Sequence, residues 1–298
     1  MWQPPPGAIL VGVDGSAAAL GAVRWAAHDA ALRNVPLTLV HVVDAPLPEW
    51  FETAPVGFRQ PQEKRIRAFI ESATKVAEDS AGECGPVQID SQVFHSATVP
   101  TLVGLSTEVQ MVVVGYRGHG GALTRSVPGS VSSALVYHAH CPVAVIHDDE
   151  AMIGDVARAP VLVGIDGSPA SEAATAIAFE EASRRGVGLM ALHAWNDPRV
   201  SQSRKAFQDS KWDAQLSEEE ETLAERLAGW HERYPDVGIR HRIEIGDPAR
   251  WLIEMSERAQ LMVVGSHGCS RVRGTLLGSV GAAMVNKARI PVIVARQF

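Results

Sequence analysis

The chain has 298 residues, of which 46% are hydrophobic and 20% are charged. This composition is typical of a globular protein and excludes a mainly disordered chain. Acidic side chains outnumber basic ones by 34 to 27, which gives a formal charge of −7. We therefore expect neither nucleic acid nor a membrane surface as a partner, because both attract basic proteins. Since domains commonly hold about 100–200 residues, the length favours two of them.

No signal for a membrane or for secretion is found. No apolar run approaches the ~18 residues that span a bilayer. The first six residues, Met1 to Pro6, lack the basic and apolar regions of a secretory signal, so we expect a cytoplasmic protein. Cys84, Cys141 and Cys269 are widely separated, and this spacing predicts neither a disulfide framework nor a zinc site.

The chain repeats itself at a nearly constant offset. Ile9 to Ser16 reads Ile-Leu-Val-Gly-Val-Asp-Gly-Ser and returns at Val161 to Ser168 as Val-Leu-Val-Gly-Ile-Asp-Gly-Ser. Met111 to Gly115 returns with the same order of residue types at Met262 to Gly265. A repeat of this period predicts a duplicated domain, with residues 1–150 in the first copy and 151–298 in the second.

Within each copy, short apolar runs rich in β-branched residues alternate with helical patterns. Buried parallel strands have this continuous apolar character. In the first copy we predict strands over 9–13, 37–43, 87–94, 111–114 and 143–146, and helices over 17–32, 63–78, 99–107 and 131–140. In the second copy Pro169 is predicted to be the first helical residue after a Ser168 cap, and a long helix is predicted over 218–234. The alternation predicts an α/β fold with a doubly wound parallel sheet in each copy.

Ligands of such sheets bind outside the carboxyl ends of the strands, and two kinds of residue fall there. Asp14 and Asp166 end the first strand of each copy, where a carboxylate can accept hydrogen bonds from ribose hydroxyls or help to hold a divalent cation. The alternative is that Asp-Gly-Ser only makes the strand-to-helix turn.

His41-Val42 and His193-Ala194 end the second strand of each copy. They could frame an adenine pocket, or the histidines could be hydrogen-bonded partners of the core.

A glycine-spaced loop follows the fourth strand in both copies. Gly115-Tyr116-Arg117-Gly118 is followed after ten residues by Gly129-Ser130-Val131-Ser132, and Gly265-Ser266-His267-Gly268 is followed after nine by Gly278-Ser279-Val280. Glycines let backbone amides approach an anion, and the helix that begins at the second cluster offers unpaired N–H groups to a phosphate. The alternative is a set of structural turn glycines.

These motifs, with the closing Cys-Pro-Val and Ile-Pro-Val strands, resemble the universal stress protein family in its tandem form. The resemblance covers essentially the whole chain. It implies two Rossmann-like (adenine nucleotide α-hydrolase-like) domains, each a five-stranded sheet of order 3-2-1-4-5 with about four helices. It implies ATP as the ligand, with Mg as a candidate companion of the nucleotide. The residues that match the family's binding positions are Asp14, Val42, Gly115, Arg117, Gly118, Gly129, Ser130, Val131 and Ser132 in the first copy, and Asp166, Ala194, Gly265, His267, Gly268, Gly278, Ser279 and Val280 in the second.

Two departures predict sites of unequal affinity. The first loop is one residue longer, with the Gly120-Gly121 pair able to absorb the addition, and Pro128 removes an amide donor before Gly129. The second copy has Gly281 where the first has Ser132, so that it lacks one hydroxyl.

We predict an ATP-binding regulator of stress response or signalling, with no assigned catalytic or metal-binding residue. The sequence leaves open a slow ATP hydrolase or nucleotidyl enzyme of the same fold, and a scaffold with vestigial sites. P-loop, GxGxxG, GxSxG and HExxH patterns are absent from the expected places. The resemblance also implies that the two copies pair through the strands at 143–146 and 292–295 as an internal pseudo-dimer, and a homodimer of the whole chain is compatible with it.

Overall fold

The computed structural model describes residues 2–44, 56–82, 84–118, 129–147, 158–195, 210–268 and 277–296. The chain divides into two compact units, Met1–Asp149 and Glu150–Phe298. Each unit is an α/β domain built on five parallel strands. None of the helices in the described ranges is long and apolar enough to cross a membrane.

The first unit alternates strands and helices along the chain. Its elements are β1 (Ile9–Gly12), α1 (Ala17–Arg33), β2 (Leu37–Val43), α2 (Val56–Ala81), β3 (Ile89–His95), α3 (Thr98–Leu105), β4 (Met111–Gly115), α4 (Ser130–His138) and β5 (Val143–Ile146). The strands pair in the order β3-β2-β1-β4-β5, and every pair is parallel.

The second unit repeats this architecture. Its elements are β6 (Val161–Gly164), α5 (Pro169–Arg185), β7 (Leu189–Trp195), α6 (Ser210–Arg233), β8 (Ile239–Ile245), α7 (Pro248–Ser256), β9 (Leu261–Gly265), α8 (Ser279–Lys287) and β10 (Val292–Ala295). Its strand order is β8-β7-β6-β9-β10, again with parallel pairing. The predicted fold class and the 3-2-1-4-5 order are therefore confirmed in both units.

The central strands form the core because both of their faces are covered. Ile9, Leu10 and Val11 of β1 are fully buried, as expected of a strand that has helices on both sides. The outer strand β3 has no fully buried residue; Ser91 and His95 are exposed and the others are half-buried, which matches its weaker signal in the sequence. In both units the order reverses around the first strand, so the carboxyl ends of β1 and β4, and of β6 and β9, flank a switch point where ligands bind in this class of fold.

Two helices are longer than the sequence predicts. The pattern predicts helices from 63 and from 218, whereas α2 begins at Val56 and α6 at Ser210. The added turns carry little apolar periodicity, and α2 contains Pro61. Both features weigh against a helix when only the sequence is read.

The first helix of each unit begins at a serine cap. The Ser16 hydroxyl oxygen accepts a hydrogen bond from the Ala19 amide at 3.1 Å, and that of Ser168 accepts one from the Ser171 amide at 3.2 Å. Pro169 takes the first helical position, as predicted. These caps hold the helix starts beside the carboxyl ends of β1 and β6.

Removing the second cap is expected to lower the free energy of unfolding. Ser168→Ala should destabilise the chain by about 1 kcal/mol, which is the usual cost of losing a serine cap. The variant also loses the bond that the Ser168 hydroxyl donates to the His267 carbonyl at 3.2 Å. Urea denaturation measures the change. Thr222→Ala is the control, because the Thr222 hydroxyl donates only within its own exposed helix; equal destabilisation by both variants would contradict the prediction.

Candidate functional site

The Asp-Gly-Ser turn at the end of the first strand is built in the same way in both units. One carboxylate oxygen, Oδ1, of Asp14 accepts the Ser16 amide at 2.9 Å, and Oδ1 of Asp166 accepts the Ser168 amide at 2.9 Å. The glycine between them has a left-handed backbone, with φ of +81° at Gly15, which glycine adopts without strain. Both aspartates therefore help to form the strand-to-helix turn, as the alternative interpretation of the motif expected. The same hydrogen bond fixes the direction in which the second carboxylate oxygen points.

The second oxygen faces the glycine loop that follows the fourth strand. A Cβ built on Gly268 would stand 2.6 Å from Oδ2 of Asp166. A Cβ on Gly118 would likewise collide with Oδ2 of Asp14. Because real Cβ atoms do not approach oxygen so closely, a side chain at either position would force the loop or the carboxylate to shift.

One backbone hydrogen bond closes each glycine loop. The Gly129 amide donates to the Tyr116 carbonyl at 2.8 Å, and the Gly278 amide donates to the Ser266 carbonyl at 2.7 Å. Two glycine clusters that are ten or nine residues apart in sequence therefore meet in space. The closure brings the amino ends of α4 and α8 to the carboxyl ends of β4 and β9.

The amino ends of these two helices have no side-chain cap. The residues before them, Gly129 and Gly278, have extended backbones and supply no capping hydrogen bond. The first amides of an α-helix lack partners within the helix and sit at the positive end of its dipole. The amides of Ser130 and Val131, and of Ser279 and Val280, are thus oriented as a phosphate would require.

Ser132, in the first turn of α4, contacts the glycine loop of the first unit. Its hydroxyl lies 3.1 Å from the Tyr116 carbonyl and 3.0 Å from the Gly129 carbonyl, and the residue is buried. The hydroxyl therefore helps to hold the loop, and its role as a phosphate ligand stays a prediction. Gly281 in the second unit makes no such bond.

A cavity of about 720 Å³ opens at this point of the second unit. All eight residues that the sequence singled out in this copy contribute to its wall. They are Asp166, Ala194, Gly265, His267, Gly268, Gly278, Ser279 and Val280. The cavity thus joins the end of β6, the end of β7, the glycine loop and the start of α8.

Sequence reasoning missed several residues of the wall. Asp247 and Pro248 lie at the start of α7, and Leu252 of the same helix adds an apolar surface. The Asp247 carboxylate caps α7 by accepting the Ala249 amide at 3.1 Å. The sequence could have indicated Asp247, because an acidic residue that follows a strand and precedes the first turn of a helix is the same pattern that identified Asp166.

The two histidines at the ends of the second strands are bound to the core. The Nδ1 atom of His41 lies 2.6 Å from the Val13 carbonyl, and that of His193 lies 2.7 Å from the Ile165 carbonyl. This confirms the core-partner interpretation. Their neighbours differ: Val42 is half-buried in β2, whereas Ala194 lines the cavity of the second unit.

Within the described residues, no group of three or more His, Cys, Asp or Glu side chains is arranged to hold a metal ion. Cys84 is exposed and Cys141 is buried, and neither forms a disulfide among the described residues. Cys269, Gly120, Gly121 and Pro128, on which other expectations rest, lie outside the described residues.

Two tandem Rossmann-like domains, each with a glycine loop facing an aspartate at the switch point, define the class of protein. The family model "Universal stress protein family" matches the chain twice, over residues 7–147 and 158–296. The chain belongs to the universal stress protein family, with two copies of its domain.

The relatives support this membership over nearly the full length. The universal stress proteins Rv2005c and Rv2623 of Mycobacterium tuberculosis are each 50% identical to the chain, over 293 and 290 residues; the alignments cover 97% of this chain and 97% and 96% of theirs. Among solved structures, a universal stress protein from Archaeoglobus fulgidus has a TM-score of 0.71 at 18% identity and covers 98% of both chains. One from Pseudomonas aeruginosa has a TM-score of 0.60 at 13% identity, covering 97% of this chain and 92% of that one. These structures share the fold.

Proposed function

We propose that each unit binds an adenine nucleotide, ATP in the first instance, and that the chain is a nucleotide-dependent regulator in a stress response. The observation that carries the proposal is the cavity of the second unit, whose wall contains every residue that the sequence singled out in that copy. Its volume of about 720 Å³ falls within the roughly 300–1,000 Å³ of small-molecule sites.

The cavity has a partner for each part of a nucleotide. The amides of Ser279 and Val280 at the start of α8 suit the phosphates, because a helix amino end attracts anions. Asp166 suits the ribose hydroxyls, since a carboxylate at this point of the fold accepts their hydrogen bonds. Leu192 and Ala194 at the end of β7 offer an apolar surface to the base.

Three features of the second site recur in the first unit. Asp14 faces Gly118, the loop is closed between Gly129 and Tyr116, and α4 begins without a side-chain cap. We therefore propose a second nucleotide site there. Ser130 and Val131 supply its helix amides, Gly115 and Arg117 its loop, and Val42 its adenine side.

The aspartates of these sites could hold a magnesium ion that binds together with the nucleotide. Mg²⁺ in nucleotide sites commonly keeps several waters and takes one or two carboxylates together with phosphate oxygens. Asp14 and Asp166 are the residues that would hold it. The ion would supply charge neutralisation of the phosphates, while the helix amides and the glycine loop orient them.

A slow ATP hydrolase is the second candidate. The observation in its favour is that His267, Asp166 and Asp247 all line the cavity, and imidazole and carboxylate groups can act as general acids or bases. We favour the regulator because Asp166 and Asp247 each use an oxygen to hold a turn or a helix start, which suits a binding role.

Isothermal titration calorimetry of the full chain with ATP tests the proposal. We expect two ATP molecules per chain with micromolar affinity, near −8 kcal/mol, because three or four charge-assisted hydrogen bonds of roughly 1.5–3 kcal/mol each must offset the cost of association. Absence of ATP binding in both units would refute the proposal. Phosphate or pyrophosphate release well above background, lost in Asp166→Ala, would instead favour the hydrolase.

A further inference from the structure

The two sites differ in charge at two equivalent positions. In the glycine loop, Arg117 of the first unit stands where the second has His267. At the start of the helix after the third strand, the capping residue is Ala97 in the first unit and Asp247 in the second. At these two positions of the described residues, the first unit thus has a guanidinium and no carboxylate, whereas the second has an imidazole and a carboxylate.

The Arg117 side chain lies over a buried aromatic ring, and one of its donors has no partner among the described residues. Its guanidinium carbon lies 5.3 Å from the centre of the Tyr116 ring, and Tyr116 is itself buried and stacked on His147 at 4.6 Å. The Nε atom of Arg117 is buried and has no hydrogen-bond partner among the described residues.

A buried donor without a partner is costly, and an arginine stacked on an aromatic ring is restrained in position. The Arg117 Cα also lies 3.6 Å from the Cβ position of Gly129, which caps α4. The side chain therefore starts next to the helix amides that face a phosphate. Its planar fork matches phosphate oxygens, so each further phosphate on a ligand can gain from it.

The second site opposes added phosphate charge. Asp166 and Asp247 both line the cavity, and His267 is the one basic side chain among the described residues of its wall. The Nδ1 atom of His267 lies 3.1 Å from the Ser266 hydroxyl, so one ring nitrogen is already engaged. Asp166 is half-buried and Asp247 is exposed, so the two carboxylates repel additional negative charge with a strength that solvent reduces.

We infer that the two units differ in their preference among adenine nucleotides: both bind ATP, but the first prefers the triphosphate and the second prefers a nucleotide with fewer phosphates. This inference rests on the proposed function, because it requires adenine nucleotides in both units. The two units would then bind different nucleotides, and the chain would hold ATP and AMP at the same time.

Equilibrium dialysis of the unmodified full chain tests the inference without any variant. The chain is dialysed at pH 8 with EDTA against equal, saturating concentrations of AMP and ATP, and both bound nucleotides are quantified by chromatography. We expect about one ATP and one AMP per chain, given a preference of roughly tenfold in each direction. Two ATP or two AMP per chain would overturn the inference while leaving the proposed function intact. No bound nucleotide at all would overturn both.

Two substitutions assign the selectivity to residues. Arg117→Gln is expected to weaken ATP binding at the first site by about 10- to 100-fold, the value of one charged hydrogen bond, and to change AMP binding by less than about threefold. Asp247→Asn is expected to raise the affinity of the second site for ATP relative to AMP.

Arg233→Gln is the matched control for Arg117→Gln, because Arg233 also stacks on an aromatic ring, that of Trp230 at 5.8 Å, away from both sites. An unchanged ATP-to-AMP ratio in Arg117→Gln would overturn the assignment.

Discussion

Gly268→Ala is expected to abolish nucleotide binding in the second unit, weakening it by more than about 100-fold. The new Cβ would stand 2.6 Å from Oδ2 of Asp166. That carboxylate cannot withdraw easily, because its other oxygen accepts the Ser168 amide at 2.9 Å. The glycine loop must therefore move away, and the amides at the start of α8 move with it.

Calorimetry on the full chain measures this effect as a drop from two ATP molecules per chain to one. Gly229→Ala is the matched control: a Cβ on Gly229, in α6, would meet no atom within 4 Å, so binding should be unchanged. Gly118→Ala is the counterpart in the first unit. If Gly268→Ala retains two sites of normal affinity while the control behaves as expected, the loop does not touch the nucleotide and our account of the site is wrong.

Asp29→Ala is expected to produce the largest loss of stability, about 3–5 kcal/mol in the free energy of unfolding. Asp29 is fully buried in α1, and its carboxylate lies 2.7 Å from Nε of Arg33, which is only 7% exposed. Arg33 also donates to the Gln110 side chain at 3.3 Å. Removal of the carboxylate leaves a buried guanidinium without its counter-charge.

The chain supplies a matched control for this pair. Glu180 and Arg184 in α5 have the same four-residue spacing and lie 3.2 Å apart, but both are about one-third exposed. Glu180→Ala should therefore cost less than about 1 kcal/mol. Urea denaturation followed by circular dichroism compares the two variants. Similar losses in both would show that the burial of the Asp29–Arg33 pair contributes nothing.

Much of the fold could be predicted from the sequence, because the signals are local and occur twice. The apolar β-branched runs at β1 and β4 have no polar face, which identifies buried parallel strands. The repeat of Asp-Gly-Ser, 152 residues apart at Asp14 and Asp166, located the carboxyl end of the first strand in both copies. The starts of α2 and α6 were not predicted, since their first turns lack apolar periodicity.

The site was only partly predictable, because some of its features depend on three-dimensional neighbours. The glycine spacing identified the loop, but the contact of Gly268 with Asp166 exists only after the sheet has formed. The bonds of the Ser132 hydroxyl to two carbonyls cannot be read from a serine in a sequence. Asp247 was missed because its equivalent in the first copy is Ala97, so comparison of the repeats gave it no support.

The central claim is that backbone amides at the glycine loop and at the start of α8 bind the phosphates of an adenine nucleotide. A crystal structure of the full chain with a non-hydrolysable ATP analogue tests it most directly. The account predicts phosphate oxygens within hydrogen-bond distance of the Ser279 and Val280 amides, with the ribose at Asp166 and the base at Ala194. An analogue bound elsewhere, or an empty cavity at saturating concentration, would contradict it.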